Sequence, residues 1–308
     1  MNINYFDALS RAWNRMTTAL FRPFDLGKWF VVGFTAFLAG LTDWHGGGGN
    51  NGGARFHRHS DFGDVLSFPG TAWYWLMDHP GWFMFITFGV VFIIVLIFLF
   101  TWLSSRGKFM FLDNVVNNSS KVTQPWHEFR REGNSLFLWR VVFGFIIFAV
   151  IILFLVQGFM IAYDIYDRGF EPNFVIPIVG MGLLLFLVIL VTAYIAAFLN
   201  NFVVPLMYKN RISTNQAWRI FLPLLSKYWG YFILYGLFLL VLHILAVIVV
   251  ITAGLLTCCI GLLLLIIPYI GAVVTLPISY TFMGLGPEFL VQFGTEYDIF
   301  PRAAEVVE

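Results

Sequence analysis

From Tyr231 to Phe282 the chain carries no Asp, Glu, Lys or Arg. As one helix, rising about 1.5 Å per residue, this stretch would run to more than twice the ~30 Å thickness of a bilayer's hydrocarbon layer. It is too long for a single crossing, and a water-soluble core of this size could not hide it. It is therefore expected to turn within lipid, and "TAGLLTCCIG" (252–261) supplies the glycines and small polar residues for that turn. Composition agrees: 59% of the 308 residues are hydrophobic and only 11% are charged, against about 25% charged in soluble domains. A net charge of +1 sets up no global field for nucleic acid. Cys258 and Cys259, the only cysteines, are neighbours, so no disulfide framework or CxxC metal site is available.

Read with this length rule, the chain offers six spans: Leu26–Thr42, with Asp25 as its N-cap after Pro23, then Trp82–Trp102, Leu136–Tyr163, Phe174–Leu199, and two more from Tyr231–Phe282. Of the 18 Lys and Arg residues, only Arg55, Arg58 and Arg168 fall on one side of this arrangement. The positive-inside rule then puts the N-terminus, the connecting segments around 106–140 and 209–227, and the C-terminal tail in the cytoplasm. The first 20 residues hold no continuous apolar run of the secretory kind, so no cleavable signal is expected.

Three polar, tryptophan-centred segments precede spans. In "SRAWNRMTTALFRPFDLGKWF", "TQPWHEFRREGNSLFLWR" and "TNQAWRIFLPLLSKYWGYF" the landmarks are Trp13, Trp126 and Trp218. A bulky apolar residue follows each by three positions (Met16, Phe129, Phe221), and a second tryptophan marks the approach to each span (Trp29, Trp139, Trp229). Gln124 and Gln216 stand two positions before their tryptophans. In the first segment Phe6, Leu9, Trp13, Met16 and Leu20 fall at helical spacing, opposite Arg11 and Arg15. That pattern predicts helices lying in the membrane interface, anchored by Trp13, Arg11, Arg15, Trp126, Arg130, Arg131, Trp218 and Arg219. Bends are expected at Gly133 and Pro223, where the chain would turn into the bilayer. The expected fold class is an all-α integral membrane protein. It has six transmembrane helices, three cytoplasmic-side interfacial amphipathic helices and a threefold internal repeat. The membrane domain is residues 1–286, with repeat units 1–105, 106–200 and 201–286, followed by a cytoplasmic tail at 287–308.

The stretches "FRPFDLGKWF", "FLDNVV", "FVVPLMYKNRISTNQAWRIF" and "EFLVQFGTEYDIF" resemble an uncharacterised family of prokaryotic integral membrane proteins. They are similar to the membrane domain of some glycerophosphoryl diester phosphodiesterases. The resemblance covers most of the chain outside the 45–80 loop. It implies the polytopic fold and a prokaryotic cytoplasmic membrane. It transfers no activity, because hydrolysis in the fused proteins belongs to a separate soluble domain.

Chemistry-bearing residues are few. The glycine-rich loop 43–64 holds His45, His57 and His59 with Asp61 and Asp64, and a His-x-His pair of this kind could take zinc or copper. Ordering so flexible a segment opposes that, and the plain reading is a solvated loop without a bound metal. Within the spans, His243 and Gln157 are the candidate intramembrane polar site. No carboxylate or basic residue falls at a span centre, which disfavours proton-coupled transport. The cytoplasmic "WHEFRREGN" reads as a helix starting at Thr123, and no HExxH, GxSxG or P-loop occurs. The expectation is a non-enzymatic membrane protein, without cofactor, that engages anionic lipid or a protein partner. The competing expectation is a small-molecule, lipid or ion permease with a cavity near His243.

Overall fold

A computed structural model describes residues 3–42, 70–71, 73–169, 171–257 and 260–300. The His45, His57, His59 segment, Cys258, Cys259 and Arg302 lie outside the described residues. Among those described, the regular structure is helical.

Helix α1 (Tyr5–Phe21) starts at Asn4, whose side chain accepts from the Phe6 N–H. Helix α2 (Leu26–Gly40) starts as expected at Asp25, whose carboxylate accepts from the Gly27 and Lys28 amides. Then follow α3 (Pro80–Asn117), α4 (Thr123–Glu128), α5 (Arg130–Arg168) and α6 (Val175–Phe198). A π-turn at Leu199–Val203 joins α6 to α7 (Val204–Asn210). The last helices are α8 (Thr214–Lys227), α9 (Trp229–Leu256), α10 (Ile260–Ile266), α11 (Pro268–Val274) and α12 (Leu276–Leu290).

Four helical stretches among the described residues are long and apolar enough to cross a membrane: Pro80–Asn117, Arg130–Arg168, Pro172–Asn210 and Trp229–Leu256. This is the make-up of a multi-pass membrane protein. A fifth exists if α11 and α12, bent by 68° at their junction, count together. The six separate spans of the sequence reading are not seen. The first, α2, is 15 residues long, or about 22 Å by helical rise. The sixth is split into α10, α11 and α12, with Pro268 and Pro277 each opening a new helix. A helix break falls within 252–261, since α9 ends at Leu256 and α10 begins at Ile260.

Two bends fall elsewhere than expected. Helix α5 runs unbroken through Gly133, and the chain turns at Phe129, between α4 and α5. Pro223 lies inside α8, and the break comes at Tyr228. Of the expected tail, the described residues 288–300 pack against the protein. The chain stays helical to Leu290, and Phe289, Leu290, Phe293, Ile299 and Phe300 are buried.

The chain forms two compact units. The first comprises 1–48, 100–140 and 194–308, and the second 49–99 and 141–193. In the second, the N-terminal part of α3 and the apolar parts of α5 and α6 keep their side chains exposed, as lipid-facing helices do. Phe98 and Phe145 meet there at a ring separation of 6.3 Å.

The first unit holds the core. Phe202 is fully buried in an aromatic nest of Phe221, Phe232, Tyr235 and Phe289, with ring centroids 4.8–6.0 Å away. Thirteen consecutive residues of α3, Ser104 to Val116, are all buried, so this part of the helix is enclosed on every side. Its closest approach is at Gly107, where a Cβ would lie 2.6–2.7 Å from the Leu38 and Ala39 backbone of α2.

Helix α1 packs along α12, and α2 along α11. The buried stripe of α1 is Ala8, Ala12, Met16, Ala19 and Leu20. Phe6 and Trp13, read as part of that face, are 71% and 51% exposed. The residues three positions beyond the landmark tryptophans, Met16, Phe129 and Phe221, are all buried. The two glutamines nevertheless do different work. Gln216 accepts from the Ser213 N–H and hydroxyl and caps α8. Gln124 accepts from the Lys121 ammonium.

Candidate functional site

The enclosed part of α3 carries charge into the first unit, and most polar structure gathers around it. Arg106 is 7% exposed. Its guanidinium carbon sits 4.5 Å from the Trp102 ring centroid and 4.8 Å from that of Trp126. The two indoles meet edge-on at 5.6 Å. Asn134 Oδ1 accepts from Arg106 Nε at 3.3 Å, from Nη2 at 3.1 Å and from Trp102 Nε1 at 3.3 Å. Gly133 provides the floor, for a Cβ there would come 2.9 Å from Arg106 Cγ. The glycine read as a bend is instead the space into which the arginine fits. Among the described residues no carboxylate pairs with Arg106. Buried Glu132, beside Gly133, is beyond ion-pair distance, and its Oε2 has no hydrogen bond. Arg130, of the same charge, is close enough to act on Arg106 electrostatically.

Two residues along α3 stands a second cation, Lys108. Lys108 donates to Asn200 Oδ1, in the π-turn, and Arg140 Nη2 donates to the same oxygen at 3.0 Å. Arg140 Nη1 also reaches the hydroxyls of Thr42, Ser104 and Ser105 at 3.4 Å. The π-turn has a local cause. Pro205 lacks an N–H and would crowd the Asn201 carbonyl four residues back in a regular helix. The turn widens, and the Val204 N–H donates to Leu199 O, five residues back.

Toward the end of α3 the polar groups are knitted to one another. Asp113 accepts from Tyr208 Oη and Asn117 Nδ2, each at 2.8 Å. Asn114 holds the turn after α3: its Oδ1 accepts from the Ser119 hydroxyl and the Lys121 N–H, and its Nδ2 donates to Lys121 O and Thr35 Oγ1. Arg211, in the left-handed conformation after α7 (φ 54°), pairs with Glu128 and covers the Phe129 ring at 3.8 Å. On α12, Glu288 is buried and receives both Arg11, at 2.9 Å, and Arg15. Tyr5 donates to Tyr231 O, and partial burial raises its pKa further from neutrality.

The residues singled out from sequence are thus distributed unevenly. Arg11 and Arg15 have a protein partner in Glu288. Arg130, Arg131 and Arg219 are exposed, with no hydrogen bond or ion pair to another described residue. Trp126 belongs to the Arg106 cage. Trp218 stacks on Trp139 at 5.8 Å, with its indole N–H buried and unbonded. Of the intramembrane pair, His243 stacks on Phe282 at 4.4 Å and bonds through Nδ1 to Leu239 O of its own helix. Gln157 is exposed on α5, in the other unit. Arg106, Lys108, Asn134 and Glu288 were not singled out as site residues. The one available signal was that "SSRGKFMFLDNVV" keeps apolar residues at helical spacing (Phe109, Leu112, Val116) beyond the end of the span.

Among the described residues no group of three His, Cys, Asp or Glu side chains is placed to hold a metal ion. A cleft of about 290 Å³ opens beside Asn14, Arg15, Asn118 and Tyr280. The arrangement is one of buried cations, tryptophan faces and amide oxygens, which suits holding an anion.

The model of a family of unknown function, DUF7544, matches residues 3–294, and the chain belongs to that family. No curated protein and no solved structure matches it. A link to glycerophosphoryl diester phosphodiesterases is not shown.

Proposed function

Membership of a family with no assigned activity leaves the residues themselves as the guide, and we propose that this chain is a non-enzymatic integral membrane protein that engages anionic lipid. The observation behind the reading is the concentration of cations and tryptophans just past the apolar run of α3. Caged Arg106 lies there between Trp102 and Trp126, and exposed Arg130 is close enough to act on it electrostatically. Basic and aromatic side chains together favour the anionic headgroup layer over water or hydrocarbon. The purified protein in nanodiscs should recruit phosphatidylglycerol over phosphatidylcholine, and raising salt from ~50 to ~500 mM should weaken that preference severalfold as the Debye length shrinks. A preference that does not change with salt would remove the electrostatic basis of the reading.

The finer membrane layout belongs to the same proposal: a prokaryotic cytoplasmic membrane, both termini inside, six crossings in three related units, and a protein partner as the other occupant of the basic layer. The lysine and arginine distribution supports the orientation. Cysteines introduced at Ser119 and Ser213 should react with an impermeant maleimide only after the membrane is opened, and one at Asp167 should react in intact cells. Labelling of Ser213 from outside would overturn it. A permease is the second reading, favoured by the π-turn at Asn200 and Asn201, because such turns collect at functional positions.

A further inference from the structure

Resting on the lipid-engaging reading, we infer that the Arg106 cage is a binding site for the phosphate of a membrane-lipid headgroup. An arginine residue that is nine-tenths buried ordinarily has a carboxylate to offset its lost hydration. Arg106 has none among the described residues; its neighbours are two indole faces, one amide oxygen and the like charge of Arg130. The cage orients the fork. Asn134 takes Nε and Nη2, which leaves Nη1 without a hydrogen bond among the described residues, and Nη1 is not among the fully enclosed unbonded atoms. A charge-assisted donor is therefore left for an incoming oxygen, and an arginine fork suits phosphate.

The seat is built for this residue, because Gly133 admits the Arg106 side chain where any Cβ would press on it. The position selects a lipid over a free anion. Arg106 follows four residues after Trp102, where the apolar run of α3 ends, and Trp102 itself forms one wall. A phosphate here would have its headgroup against the indoles, as interfacial tryptophans are placed.

The test uses the full chain, delipidated in detergent and examined by native mass spectrometry with three probes. These are dioleoyl phosphatidylglycerol, dioleoylglycerol (the same tails without phosphate) and glycerol 3-phosphate (phosphate without tails). Phosphatidylglycerol should be retained, dioleoylglycerol should not, and glycerol 3-phosphate at equal concentration should not displace the lipid. Arg106→Gln should weaken phosphatidylglycerol retention by ~10-fold or more, the scale of one lost charge-assisted hydrogen bond, and Arg106→Lys should fall between. Displacement by glycerol 3-phosphate would overturn the lipid assignment. Equal retention by Arg106→Gln and the unaltered protein would overturn the site and leave the general lipid reading standing; loss of all lipid preference in the unaltered protein would sink both. Should Arg106→Gln not fold, a phospholipid carrying a headgroup diazirine, applied to the unaltered protein, decides the matter. Its adducts should map to 102–106 or 126–134, and adducts confined to other segments reject the site.

Discussion

Gly286→Ala should abolish a monodisperse folded protein, or lower its melting midpoint in detergent by the equivalent of about 3 kcal/mol or more, the top of the overpacking range. A Cβ at 286 would stand 2.8 Å from the Asn201 carbonyl carbon, 2.9 Å from its Cα, and closer still to its oxygen. All three are backbone atoms, so no side-chain rotation relieves the clash. The π-turn holding Asn201 cannot easily retreat, being fixed by Pro205 on one side and by buried Phe202 and Val203 on the other. Gly284→Ala, two residues away on the same helix, is the internal control. Its new methyl would meet Ala12 Cβ at 3.6 Å, an ordinary contact. It should melt within about 1 kcal/mol of the unaltered protein, since alanine's helix propensity offsets slight crowding. Equal melting of the two variants would refute the close approach of α12 to the π-turn.

The second large effect is expected from Arg11 and Arg15 taken together. Glu288 has 4% of its side chain exposed, whereas the two arginines have 47% and 40%. Removing one arginine leaves the carboxylate paired, and the loss should be about 1 kcal/mol, near that of an exposed ion pair. Removing both strands a buried charge, for which about 3–5 kcal/mol is usual. Arg11→Met with Arg15→Met should therefore destabilise far more than the two single changes added, a coupling that a double-mutant cycle measures directly. Adding Glu288→Leu to the double variant should restore most of the loss by removing the stranded charge. Strict additivity would mean that Glu288 finds another partner.

Local features were legible where local chemistry decides them. Asp25 caps α2 because a carboxylate followed by two free amides needs nothing distant, and the break after Leu256 follows from small residues in an apolar run. The extent of α1 could be read, but its buried face could not. Ranking by hydrophobicity chose Phe6 and Trp13, whereas the close packing of α1 on α12 required Ala8, Ala12 and Ala19. Small size, which lets Gly284 approach Ala12, counted for more there than apolar area. The cationic layer was hidden for the opposite reason. Charges after a span look like a loop, and Arg106, Lys108 and Asp113 become tolerable inside a helix only because Asn134, Asn200 and Tyr208 arrive from elsewhere in the chain. No window of neighbouring residues contains that information.

The enclosure of Ser104–Val116 sets a schedule for biogenesis. At typical synthesis rates of about 5–20 residues per second, Asn200 reaches Lys108, 92 residues behind it, roughly 5–20 s after Lys108 is made. Tyr280, whose hydroxyl donates to Val115 O across 165 residues, takes roughly 8–33 s. Glu288 reaches Arg11 later still, across 277 residues, after roughly 14–55 s. Until Asn200 and Tyr280 arrive, the charged middle of α3 lacks part of its protein interior and part of its final partners. It must wait in water or be held by an insertion factor while later helices enter the bilayer. A ribosome stalled before residue 276 would leave α1 without α12, the helix it packs against.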